Sequence, residues 1–335
     1  MKNYRLAADE RGFALLAVTL VLALLGVVVT ELAFSMRLEA AMVRTYKDAV
    51  LARYLAEAGV QQAIREILSD ATVHGLDDDG QVVFYNVAQT GATPKAYPKL
   101  PRSHVRLGSG EFSYRITDEE GRLNVNTRAP GTLERLLTVL EIDKDVRDII
   151  SDSIEDWRDT NETHRINGAE SDYYLQQPVP YRSRNANLQD VSELLQIQGI
   201  TPAIYYGHDD KPGLVDLLTV RSRGINININ TAPKAILQGQ GLSDAEVSDV
   251  MQSRATRPYG VVPPRYTTRQ FITGSTTFRI ESQGLIGGEP RARLMVVVQR
   301  TVGLSGAVPV LAVFTWRTLP PRPSAPAATT KSGAS

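Results

Sequence analysis

The chain has 335 residues, with 37 Lys+Arg against 37 Asp+Glu, so no net charge draws it towards nucleic acid or an anionic surface. It contains no cysteine, which excludes disulfides, thiolate metal sites and cysteine-based catalysis. None of the HExxH, GxSxG, P-loop or GxGxxG signatures occurs, and His74, His104, His164 and His208 lie far apart in loops, so an enzyme is not expected.

In chain order, the first segment, MKNYRLAADERG, is short and polar with Lys2, Arg5 and Arg11, and belongs on the cytoplasmic side of a membrane. From Phe13 to Phe34 the residues are apolar apart from Thr19, Thr30 and Glu31, a run long enough to cross a bilayer. No proline interrupts Met1 to Leu68, and the run continues without a breaker, unlike a cleaved secretory signal. Ala52, Leu55, Ala56, Gly59, Val60, Ala63, Ile64 and Ile67 recur at helical spacing opposite Arg53, Glu57, Gln61, Arg65 and Glu66. The pattern predicts one helix from Phe13 to Leu68, membrane-embedded over 13–36 and amphipathic over 37–70.

The order of a basic leader ending at Gly12, a junction at Phe13, an apolar run and an amphipathic continuation resembles the type IV pilin and pseudopilin family. The resemblance implies cleavage by a prepilin peptidase between Gly12 and Phe13, with Phe13 methylated. Most pilins carry Glu at the fifth position after that junction, where its carboxylate pairs with the terminal ammonium of a neighbour; here it is Ala17. A carboxylate in hydrocarbon is costly without a partner. Its absence at this filament-interface position therefore suits a subunit with none above it, as in the family's minor component, general secretion pathway protein K. The plain alternative is an ordinary membrane anchor.

Beyond the helix, QVVFYNV and EFSYRITDEEG predict strands, the second alternating Phe112, Tyr114 and Ile116, and Asp77-Asp78-Asp79-Gly80 an acidic turn. Helical patterns dominate from Leu123 to about Arg254. Strands return in TFRIESQGLIGGEPRARLMVVVQRTV, a hairpin around Gly287-Gly288, and in PVLAVFTWRTL. The expected fold is α+β: a pseudopilin fold, with the long helix packed on an antiparallel sheet, carrying a large all-α insertion. The expected parts are a leader at 1–12, a head at 71–122 and 265–319, an insertion at 123–264, and a disordered Pro/Ala/Ser/Thr tail at 320–335.

The insertion holds an internal repeat. Asn124-Val125-Asn126-Thr127 with Ala129-Pro130 matches Asn228-Ile229-Asn230-Thr231 with Ala232-Pro233, each followed by an apolar helix, a turn and an acidic helix start at Asp143 or Ser243-Asp244. The threonines are expected to cap the helices next to the prolines. With a third unit, Leu188 to Ile200, these turns resemble helix-hairpin-helix modules. Glu193, Asp244, Glu246 and Asp249 surround them, so packing is expected rather than phosphate binding.

The segment Ser153 to Tyr174 crowds acids and amides into one loop, a composition suited to a hard cation such as Ca²⁺, with a solvated acidic loop as the alternative. Asp159, Asn161, Glu170 and Asp172 are the first candidates as ligands, then Asp156 and Glu162. EF-hand spacing is absent. The order Asp156-Trp157-x-Asp159, Asn167-Gly168-Ala169-Glu170, Tyr173-Tyr174 and Leu194-Leu195 before Gly199 is similar to protein K of type II secretion, from Arg11 to about Leu319. That resemblance implies calcium binding and a single-pass protein of the bacterial inner membrane, N-terminus cytoplasmic and head periplasmic. It implies a minor pseudopilin at the pseudopilus tip, nucleating or capping the filament. Its implied partners are other minor pseudopilins, the major pseudopilin, the inner-membrane assembly platform, and secreted substrates or the outer-membrane channel. A type IV pilus tip subunit and a membrane-anchored DNA-uptake receptor are the rival readings.

Overall fold

The computed structural model describes residues 9–69, 71–87, 93–129, 131–208, 211–222, 224–301 and 309–319, with side chains inside the first helix from residue 13 onward. The start of the expected leader, Pro130 and the expected tail lie outside the described residues. Helix α1 (Asp9–Ile67) is 59 residues long, roughly 90 Å at 1.5 Å per residue. Its exposed threonines return their hydroxyls to the preceding turn, Thr19 to Leu15 O at 2.9 Å and Thr30 to Gly26 O at 2.7 Å. No polar side chain of the apolar run other than Glu31 is thus left seeking water.

Strands β1 (Val73–Leu76), β2 (Val82–Asn86) and β3 (Lys95–Ala96) form a small antiparallel sheet, its first turn closed by Asp77. Asp77 Oδ1 accepts from the backbone N–H groups of Asp79 and Gln81, so the Asp-Asp-Asp-Gly tract is an Asx-type turn. Strands β4 (Val105–Leu107) and β5 (Gly110–Asp118) begin the main sheet, and the chain then leaves for the insertion.

The insertion runs through β6 (Leu123–Asn124), α2 (Thr132–Val139), α3 (Lys144–Arg158), α4 (Ser171–Tyr174), a 3₁₀ turn at Val191–Gln196 and α5 (Pro202–Tyr206). It continues through β7 (Gly207–His208), β8 (Lys211–Pro212), α6 (Leu214–Leu217), β9 (Leu218–Thr219), β10 (Ile227–Asn228), α7 (Lys234–Gly239), α8 (Asp244–Thr256), a second 3₁₀ turn and β11 (Phe271–Ile272). Helices dominate, but β6 with β9 and β10 with β11 form parallel two-residue pairs. Runs so short carry no period, so the sequence did not separate them from the helical pattern. The insertion has its own core, built around Leu133, Leu136, Ile150, Ile154, Leu194 and Tyr266.

Strands β12 (Thr277–Ile286), β13 (Glu289–Thr301) and β14 (Val310–Leu319) complete an antiparallel sheet in the order β14-β13-β12-β5-β4. The β12–β13 hairpin turns at Gly287-Gly288, as expected from the sequence. Phe112, Tyr114 and Ile116 of β5, Phe278 and Ile280 of β12, and Leu294, Val296 and Val298 of β13 face a second core with Leu55, Ala56, Val60, Ala63 and Ile67 of α1. The helix lies close because a glycine stands on each side. A Cβ at Gly59 would collide with the Ser282 side chain, and one at Gly284 with the Ala52 carbonyl oxygen.

Where sheet and insertion meet, three consecutive carboxylates are buried: Asp118, Glu119 and Glu120. Asp118 Oδ2 accepts from Ser275 Oγ (2.5 Å), Thr231 Oγ1 (2.6 Å) and Asn228 Nδ2 (3.0 Å), and so holds both the departing strand and the second repeat. Burial, then the Glu120 charge, pushes the Asp118 carboxyl from 3.8 up to about 7. A raised folded-state pKa contributes stability that is complete below about pH 3.8 and lost as pH rises through about 7. The stability difference between the natural chain and Asp118→Asn, read as denaturation midpoints, should therefore be larger at acidic pH than at mildly alkaline pH. An equal gap at both would show that Asp118 does not titrate in this window.

Candidate functional site

The first functional surface is the N-terminal half of α1. Phe13 is 77 % exposed and the side chains through Val50 stay exposed or half-buried, whereas Ala52, Leu55, Ala56, Val60, Ala63 and Ile67 are sealed against the sheet. Ile64 is half-buried, the one residue of the expected face not fully covered. Gly12 lies within the helix and Ala17 on its exposed stretch, among the apolar side chains from Leu15 to Val29. Among the described residues α1 is the one helix long and apolar enough to cross a membrane, and it suits a single-pass anchor carrying a folded head.

The second is the acidic loop. Helix α3 turns Asp156 inward at its last turn and ends so that Asp159 follows in extended backbone. The loop returns Glu170 just before α4. Carboxylate oxygens of Asp156, Asp159 and Glu170 lie within 4.8 Å of one another. Asp156 is 0 % and Glu170 1 % exposed. Asp156 accepts from the Arg165 backbone N–H at 3.1 Å and has Arg165 Nε at 3.5 Å. A Cβ on Gly168 would overlap its carboxylate, so only glycine lets the loop fold over that side chain. Glu170 Oε2 accepts from Ser183 Oγ at 3.3 Å, while its buried Oε1 has no hydrogen-bond partner. Burial, then the Asp156 charge, raises the Glu170 carboxyl from 4.5 to about 7, and burial raises Asp156 as well.

The other sequence candidates stand around this trio in supporting positions. Asn161 donates its N–H and Nδ2 to Asp159 Oδ1, at 3.1 and 2.7 Å, and its own oxygen accepts from Thr163 N, so it orients Asp159. Glu162 accepts from Asn185 Nδ2 (2.9 Å) and from Ser171 N and Oγ, contacts led by Asn185 that hold its carboxyl below the usual range. Asp172 faces His164 Nε2 at 2.8 Å and its own helix start, apart from the trio. Asp152, which sequence reading passed over, fixes the turn by accepting from Asn167 N and Nδ2, at 3.0 and 3.1 Å. It lies one helical turn before Asp156 on α3, the only local signal of its role. Two buried carboxylates, Asp156 and Glu170, with the half-buried Asp159 and one unpartnered Glu170 oxygen, form an all-oxygen donor set that fits a hard divalent cation.

The repeat proves to be two copies of one turn. Asn124 Oδ1 accepts from Asn126 N at 2.9 Å, and Asn228 Oδ1 from Asn230 N at 3.0 Å. Asn126 clamps the backbone of Leu188 through both its amide atoms, and Asn230 that of Tyr259. The expected threonine caps are corrected here. Thr127 donates to Gly224 O and Thr231 to Asp118, while the helices start later behind Gly131 and Pro233 without a side-chain cap. The helices begin beyond both threonines, at Thr132 and Lys234 with Gly131 and Pro233 in the capping positions, so neither hydroxyl stands where a helix N-terminus could donate to it. The Gly199 turn packs on Ile149 and Ile150, and the Gly241 turn is covered by Arg269, so both serve packing.

A family model described as "Type II secretion system (T2SS), protein K" matches residues 114–207. Type II secretion system protein K of Pectobacterium carotovorum is 29 % identical over 242 residues, covering 66 % of this chain and 66 % of that protein. Over these stretches the chain is similar to the type II secretion system protein K family. The protein K of Klebsiella pneumoniae is 26 % identical, covering 76 % of this chain and 78 % of that one. The match spans just under two thirds of the Pectobacterium protein's length. The fold is shared with a chain in the crystal structure of the GspK-GspI-GspJ complex from enterotoxigenic Escherichia coli, with a TM-score of 0.60 and 17 % identity, covering 84 % of this chain and 99 % of that one.

Proposed function

We propose that this chain is a minor pseudopilin at the tip of a type II secretion pseudopilus, nucleating or capping the filament during protein export across the outer membrane. The observation that carries the reading is α1, whose apolar first half is bare while its second half is sealed to an insert-bearing head. A bare apolar helix is at home in a bilayer before assembly and among other such helices afterwards. Ala17 supports the terminal place, because a subunit with no neighbour above has no use for an interfacial carboxylate there. On this reading a prepilin peptidase cleaves between Gly12 and Phe13, Phe13 is methylated, and the head stands in the periplasm above the inner membrane. The role is structural rather than enzymatic. Its partners are other minor pseudopilins, the major pseudopilin and the assembly platform, with secreted substrates or the outer-membrane channel at the far end.

Calcium belongs to the same reading. Asp156, Asp159 and Glu170 would hold the ion, with Asn161 and Glu162 holding the loop around it. A bound divalent cation supplies positive charge at the centre of three clustered carboxylates, beyond what the half-exposed Arg165 beside Asp156 provides.

The test is co-purification from detergent-solubilised cells carrying the secretion genes. Full-length tagged chain is expected to bring down two other minor pseudopilins, and deletion of its gene to abolish secretion. Recovery of the chain alone, with secretion intact in the deletion strain, would overturn the proposal.

A further inference from the structure

A cavity of about 190 Å³ lies between the main sheet and the insertion. Arg279 of β12 and Arg317 of β14 line it from the sheet, and Asp190, Tyr205 and Arg221 from the insertion, with Glu119 at the junction.

Both carboxylates are already committed. Glu119, 0 % exposed, pairs with Arg279 Nε at 2.7 Å, lies 4.0 Å from Arg122 and accepts from Thr219 Oγ1. Asp190 pairs with Arg317 at 2.6 Å through Oδ2 and caps the 3₁₀ turn through Oδ1, which accepts from Ser192 N and Oγ. Arg221 is left over. Its Nη2 donates to Gln189 O at 3.1 Å and its guanidinium lies over the Phe314 ring at 5.8 Å. Among the described residues no carboxylate stands within ion-pair distance of it, and its buried Nε has no hydrogen-bond partner. The fold takes care over its position. Phe314 is the extra residue of a bulge, since Val297 pairs with Thr315 and Val298 with Val313.

A half-buried guanidinium at a partly open cavity, its buried Nε without a hydrogen-bond partner and no anion beside it, is an unfinished arrangement, because the desolvation of that N–H is not offset. We propose that this cavity binds a small oxyanion, a phosphate or carboxylate group, with Arg221 as its charge partner. The planar fork of Arg221 suits two oxygens of one such group. Burial pushes the Tyr205 hydroxyl up to about 12, so it stays protonated and serves as a donor. The bound anion ties the sheet to the insertion, because its surroundings come from both.

The full-length chain in detergent, at ionic strength held constant with chloride, is titrated calorimetrically with inorganic phosphate and separately with acetate. Saturable binding at millimolar concentration is expected for at least one, which assigns the phosphate or the carboxylate class. Arg221→Gln should weaken it by about tenfold or more, and Tyr205→Phe more modestly. Should Arg221→Gln fail to fold, Arg221→Lys, which keeps the charge and loses the fork, and Tyr205→Phe carry the test. No saturable binding of either anion, or binding undiminished in the variants, overturns the proposal.

Discussion

Replacing Glu66 by alanine should destabilise the head by about 3–5 kcal/mol, the cost of leaving a buried partner charge unpaired. Glu66 lies in the last turn of α1, and Arg102 in the segment leading to β4, with side chains 6 % and 3 % exposed. The pair is bidentate, Arg102 Nε to Oε1 at 3.0 Å and Nη2 to Oε2 at 2.8 Å. Tyr114 of β5 donates its hydroxyl to Glu66 Oε1 at 2.6 Å, and Arg102 also donates to Val82 O on β2. One carboxylate therefore joins the helix, both sheets and the connecting segment. Its removal strands the guanidinium and the tyrosine hydroxyl together. Glu66→Gln keeps the shape but turns an amide N–H₂ towards the guanidinium, so it should lose most of the same stability. The double change Glu66→Leu with Arg102→Met removes both charges and should recover much of it. Denaturant midpoints of the full-length chain in detergent measure all three. A loss below about 1 kcal/mol for Glu66→Ala would mean the pair is solvated and the interaction is that of a surface bridge.

That pair also marks the limit of what the sequence discloses. The packed face of α1 was legible, because Ala52, Leu55, Ala56, Val60, Ala63 and Ile67 recur at 3.6-residue spacing and all are sealed against the sheet. So was β5, whose alternation places Phe112, Tyr114 and Ile116 inward. Glu66 sits on the polar side of the same pattern and reads as solvated, because its partner lies 36 residues away in a loop without periodicity. Asp118, Glu119 and Glu120 mislead in the same way. A run of acids after a strand looks like a surface turn, yet the Thr231 and Ser275 hydroxyls, the Asn228 amide and the Arg279 guanidinium, all far later in the chain, enclose it. The acidic loop was visible by composition. Which acids converge depends on how α3 and α4 aim them, and the inward turn of α3 brings Asp156 to the centre while Asp172 points to His164. Periodicity reports which face is buried; it carries no record of distant polar partners.

At the carboxylate trio, the expected result is calcium binding that displaces a proton near neutral pH. Without a cation, Glu170 has a pKa raised from 4.5 to about 7. Its contribution to stability is then complete below about pH 4.5 and is lost as pH rises through about 7, where Glu170 takes on its charge beside Asp156. A divalent cation reverses that sign, because it favours the ionised carboxylates and competes with the proton. The chelated protein should therefore melt lower at mildly alkaline than at mildly acidic pH, and calcium should remove the difference. Asp156→Asn takes one charge from the trio. It should weaken calcium binding by about a hundredfold or more, since even changes in residues that merely support metal ligands cost about 10–100-fold. The same substitution relieves Glu170 of its nearest repulsion and flattens the pH dependence of the chelated protein. Asp172→Asn is the matched control, an acid of the same loop that pairs with His164 away from the trio, and it should leave calcium affinity nearly unchanged. Calorimetric silence on adding calcium, or equal losses from Asp156→Asn and Asp172→Asn, would reduce the cluster to an acidic loop held together by Arg165 and the backbone.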